Sequence, residues 1–129
     1  MRASPLLLCG LTLLLTVGCG KKSRTSDVTP NDSGNTEVAI TIQNHHWSDA
    51  RIYLLHDGIS ERLGLVTATT THTFIILHRR LGPAGLFQLQ ADPVGGTSVF
   101  TSELISVQPG QAVTWSLESS LSRSSVMVY

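Results

Sequence analysis

The chain is poor in several things at once, and each shortage closes off a class of protein. It has two cysteines in 129 residues, too few for a disulfide framework or a zinc site built from thiolates. Charged residues make up only 14% and aromatics 5%. Nine Lys+Arg balance nine Asp+Glu, so there is no basic excess of the kind nucleic-acid binding needs, and no nucleic-acid partner is expected. The run of apolar residues near the N-terminus, Leu6 to Val17, is about 12 residues long, whereas a helix needs ~20 to cross a bilayer. There is no P-loop, dinucleotide fingerprint or EF-hand loop, and no Gly-x-Ser-x-Gly turn that would open a hydrolase helix. At 41% apolar residues the chain is nonetheless rich enough to fold, and its length suits one domain.

What is present divides the chain in three. Residues 1–18 read as a secretory signal peptide, with Arg2 as the positive region and the short apolar run behind it. Small residues then lead to a cysteine, Thr16-Val17-Gly18-Cys19, with Leu15 before them. This stretch resembles the lipobox of bacterial lipoproteins, although Leu15 stands one place earlier than the family's leucine. The resemblance implies cleavage before Cys19, acylation of Cys19 (palmitate among the chains) and a membrane anchor made of lipid. Gly20 in place of the Asp that retains such proteins at the inner membrane implies the outer membrane of the cell envelope. Cys9 would leave with the signal, so the mature chain would have no second cysteine.

Residues 19–36 form the lipidated cysteine and a flexible linker. Val28 is the one apolar side chain after Cys19 in this stretch, and a coil of about 17 residues spans ~20–25 Å. Lys21, Lys22 and Arg24 next to the lipid suit either solubility or attraction to anionic headgroups.

From residue 37 to 129 the pattern repeats every two residues. Val38, Ile40 and Ile42 alternate with Ala39, Thr41 and Gln43. Arg51 to His56 and Ser60 to Thr67 flank Asp57-Gly58, a hairpin signal because both positions tolerate positive φ; Leu63 and Leu65 are expected on one face. The continuous run Thr73 to Leu77 is expected to be a central strand. Leu86 to Ala91, Val99 to Val107, Val113 to Leu117 and Ser124 to Tyr129 complete about eight strands. The fold class is therefore all-β: an antiparallel β-sandwich, Ig-like or related, with a small closed barrel as the alternative. The stretches Arg62–Thr67, Ala91–Gly96 and Leu121–Tyr129 are similar to segments of small uncharacterised bacterial lipoproteins, and the likeness implies one lipid-anchored β domain.

The chemistry-bearing residues converge on little. His45 and His46 are adjacent, so on a strand they face opposite ways, and His72 and His78 lie ~20 Å apart along one. No metal site, no catalytic residue and no cofactor are expected. The best candidate contact surface is the loop between the first two strands, with Asn44, His45, His46, Trp47 and Asp49. Trp47 would either fold back to cap the sandwich or stack on a sugar or a partner's apolar residue. Trp115, alternating with Val113 and Leu117, belongs to the core. The expected function is a non-enzymatic envelope protein that binds a protein partner or scaffolds a complex. A carbohydrate- or peptidoglycan-binding module is the alternative. Replacing the anchor residue, Cys19→Ser, is expected to move the protein from the membrane fraction to the soluble fraction, which fractionation of expressing cells followed by immunoblotting would show.

Overall fold

The computed structural model describes residues 36–129; the signal peptide, Cys19 and nearly all of the linker lie outside the described residues. Nine strands form two sheets: β1 (Glu37–Asn44), β2 (Ala50–His56), β3 (Ile59–Val66), β4 (Thr71–Leu77), β5 (Leu86–Pro93), β6 (Phe100–Thr101), β7 (Ile105–Ser106), β8 (Ala112–Leu117) and β9 (Ser125–Val128). One sheet runs β4-β1-β8-β9. The other runs β3-β2-β5-β6, with β7 also paired to β5. The fold is an all-β sandwich, as the period-two pattern predicts.

The alternation does most of the folding. Val38, Ile40 and Ile42 of β1 are fully buried, as are Ile52 and Leu54 of β2, Leu89 and Ala91 of β5, and Val113, Trp115 and Leu117 of β8. Burying one such aliphatic or aromatic side chain contributes about 1.5–3 kcal/mol. β1 is the hub of its sheet, pairing antiparallel with β4 and parallel with β8. The parallel pair departs from the purely antiparallel expectation. It arises because β1 and β8 both run toward the same end of the molecule, and it brings the loops that follow them together. The turn between β2 and β3 follows its sequence: Asp57 and Gly58 both take positive φ, 48° and 75°, as a type I′ hairpin requires.

Three strand readings are corrected. Thr73 to Leu77 belongs to an edge strand, not a central one. Phe74 and Ile76 face the core, but Ile75 stands on the outer face and is 55% exposed, so the continuous apolar run does not mean two covered faces. Leu63 and Leu65 do not share a face. The β2–β3 register slips between Ile52, opposite Gly64, and Tyr53, opposite Arg62. The bulge that absorbs Leu63 inverts the parity beyond it, so Leu63 packs on the core while Leu65 is 45% exposed. Finally, Val99 to Val107 is two short strands, which raises the count from eight to nine. The Ser102 hydroxyl accepts the Leu89 N–H at 2.9 Å and donates to the Glu103 carbonyl at 2.8 Å. A side chain thus takes a backbone position in the ladder, and pairing with β5 resumes only at Ile105.

The last strand does pair within the sheet, with Val126 opposite Trp115 and Val128 opposite Val113. On the opposite side of the sandwich, β3 and β4 close together because Gly64 has no side chain: a Cβ there would lie 2.8 Å from the Phe74 ring. The bulge generates a simple test. Leu63→Ala is expected to cost roughly 1–2 kcal/mol and Leu65→Ala less than about 0.5 kcal/mol in urea unfolding; equal costs would contradict the parity change.

Candidate functional site

Because β1 and β8 run parallel, the connections leaving β1, β5 and β8 gather at one end of the sandwich. They are His45–Asp49, Val94–Val99 and Glu118–Ser124. Between them lies an open groove of about 560 Å³, within the range of ordinary ligand sites. Trp47, Val99, Phe100 and Leu121 give it an apolar wall; Thr97, Ser98, Ser119 and Ser122 give it hydroxyls; none of its lining residues is Lys, Arg, Asp or Glu.

The first connection is held from within. Asn44 is the last residue of β1 and is 1% exposed. Its side-chain N–H group donates to the carbonyls of Ser48 at 3.0 Å, Val66 at 3.1 Å and Thr67 at 3.2 Å. Its side-chain oxygen accepts the His46 N–H at 3.0 Å, an Asx turn. The Asn44 N–H donates to Thr70 and the His45 N–H to Leu117. His46 is buried, and its Nδ1 accepts the Ser48 N–H at 3.1 Å. That bond requires Nδ1 to be unprotonated and leaves the ring proton on Nε2. The Ser48 hydroxyl donates to the Val94 carbonyl at 2.7 Å. The Val94 N–H donates to the Asp49 carbonyl at 2.7 Å, which ties the first connection to the second. The Asp49 carboxylate accepts the Ala68 N–H at 2.9 Å.

The five residues singled out in the sequence therefore divide. Asn44, His46 and Asp49 hold the loop. His45 and Trp47 are exposed, Trp47 at 72%. Trp47 does not cap the sandwich end. With Asn44 and His46 filling the space beneath the loop, its indole stands out on the groove wall, 5.0 Å from the tilted His46 ring. The other two walls, the connections around Gly95-Gly96 and from Ser119, are not singled out by the sequence. Among the described residues, no three His, Cys, Asp or Glu side chains come together as metal ligands would.

No protein-family model matches the chain, and no curated protein matches it.

Asn44→Ala strips the partner from the buried His46 N–H and from three carbonyls. It is expected to destabilise the domain by roughly 2–3 kcal/mol. Trp47→Ala, which removes an exposed side chain, is expected to change stability by less than about 0.5 kcal/mol. Equilibrium denaturation of the two variants checks both values.

Proposed function

We propose that this protein is a lipid-anchored component of the bacterial cell envelope, held at the outer membrane through Cys19. Its β-sandwich is a non-enzymatic module that binds a protein partner through the Trp47 groove. The observation that carries the reading is the pairing of an exposed indole with a loop fixed from beneath. Tryptophan is among the residues most enriched at binding hot spots, and a loop whose backbone is already held loses less entropy on association. Val94 and Val99, also exposed, extend the apolar surface around it. The anchor is supported by the lipobox resemblance of the stretch ending at Cys19, and the serine- and threonine-rich linker gives the domain reach from the bilayer.

One observation favours a second reading. The hydroxyls of Thr97, Ser98, Ser119 and Ser122 line the same groove as the indole, and an aromatic face beside neutral hydroxyls also suits a sugar. Crosslinking in intact cells, followed by recovery of the full chain, separates the two. A protein recovered with wild type and reduced at least tenfold by Trp47→Ala supports the partner reading. Cell-wall glycan recovered in its place moves the site to the carbohydrate class. Partner recovery unchanged by Trp47→Ala overturns the groove as the contact surface.

A further inference from the structure

The sandwich is closed along the β3/β4 side and open along the other. There β6 ends one sheet and β9 ends the other. Between them lies a cleft of about 350 Å³, lined by Phe100, Ser102, Glu103, Trp115 and the residues from Ser124 to Val126. Three features of this cleft are left over after the packing of the described chain is accounted for.

The first is a donor without an acceptor. Trp115 is fully buried, yet its indole Nε1–H has no hydrogen-bond partner among the described residues. Buried polar groups are nearly always paired, and one that is not calls for a specific explanation. Phe100 stacks on the same ring at 6.1 Å, so the indole has an apolar neighbour but nothing to receive its proton.

The second is the free edge of β9. Ala112 and Tyr129 exchange both backbone hydrogen bonds. Rungs alternate in an antiparallel pair, so Met127 with Thr114 and Ser125 with Ser116 are the next hydrogen-bonded rungs. Val126 and Val128 consequently turn their N–H and C=O groups away from β8, toward the open side.

The third is that this edge is unguarded. Exposed edges are ordinarily blunted by charge, proline, a bulge or shortness. β3 carries Glu61, Arg62 and a bulge, and β6 is only two residues long. β9 is four residues, Ser-Val-Met-Val, with no charge, no proline and an unbroken register; β4, the other edge of its sheet, also lacks Asp, Glu, Lys, Arg, proline and a bulge, but lies on the side where Phe74 meets Gly64. The ionisable side chain lining the cleft is Glu103.

We propose that the β6/β9 side accepts an extended peptide segment of a partner protein, added as a fifth strand beside β9. An inward hydroxyl or amide side chain of that segment accepts the Trp115 Nε1–H, and a Lys or Arg of the segment lies against Glu103. Strand addition uses backbone bonds for affinity and alternate side chains for specificity. A free edge, an orphan donor beneath it and an acid beside it match those demands together. This site adjoins the Trp47 groove at Phe100, but strand addition at β9 does not depend on what that groove binds.

The test uses the full chain carrying Trp47→Phe, so that indole fluorescence reports Trp115 alone. The probes are two blocked peptides, Lys-Thr-Val-Thr-Val-Lys and its counterpart with glutamate at both ends. The lysine peptide is expected to shift the Trp115 emission and to slow amide exchange at Val126 and Val128 at least tenfold, with the glutamate peptide binding at least tenfold more weakly. Val128→Pro removes an N–H on the free edge and leaves the β8 rungs in place; it is expected to abolish the emission shift and the slowed exchange at Val126. Glu103→Lys is expected to reverse the preference between the peptides, a readout that damage to the fold would not give. Emission and exchange unmoved by either peptide would overturn the proposal. So would binding that survives Val128→Pro, or β9 amides protected without peptide in proportion to protein concentration, which would assign the edge to a second copy of this chain.

Discussion

The carboxamide of Asn44 holds the end of the molecule where the groove lies. It is buried at the end of the hub strand, where both its donor and its acceptor must be satisfied or the domain loses stability. Its partners are the carbonyls of Ser48, Val66 and Thr67 and the His46 N–H. These groups belong to the loop after β1, to the end of β3 and to the turn that leads to β4. The same side chain therefore positions β3 against β1 across the two sheets and dictates the path of the loop that carries Trp47. An aspartate could not replace it: an ionised carboxylate has no protons for three carbonyls.

From this brace the rest follows in sequence. The loop is tied to Val94 through Ser48 and Asp49, which sets the second wall of the groove. The parallel pairing of β1 with β8 brings the third wall to the same end. Along the flank, Gly64 and Phe74 close one side of the sandwich, while the break at Ser102 leaves β6 too short to cover the other. The Trp47 groove and the β6/β9 cleft share Phe100, so the end and the open flank form one continuous surface with two different chemistries. One presents an exposed indole among hydroxyls. The other presents a strand edge above a buried indole.

Much of the fold was legible because burial alternates wherever one face of a strand meets the core. Val38-Ile40-Ile42, Phe87-Leu89-Ala91 and Val113-Trp115-Leu117 announce their inner faces directly, and Asp57-Gly58 announces its turn through its φ angles. Sheet order was not legible, because it is decided by contacts between distant segments. Thr73 to Leu77 is as apolar as a central strand, yet it lies at an edge with Ile75 in solvent. Nor does the sequence mark the bulge at Leu63 or the hydroxyl of Ser102 that interrupts a strand: each is one side chain or one residue of slippage, with no periodic signature. Of the candidate groove, the sequence singles out the wall from Asn44 to Asp49 but not the roles within it. Asn and His look like surface chemistry in a loop; only the three-dimensional path shows Asn44 and His46 turned inward and Trp47 turned out.

The central claim is that the Trp47 loop is fixed before any partner arrives. Amide hydrogen exchange at His46 and Ser48 in the free protein tests it most directly. Both N–H groups end on buried side chains, Asn44 Oδ1 and His46 Nδ1, so both are expected to exchange at least a hundredfold more slowly than in an unstructured peptide, roughly the effect of an opening free energy of about 2.7 kcal/mol. Exchange of these two amides at the unstructured rate, with the β1 amides still protected, would show a loop that forms only on binding and would contradict the claim.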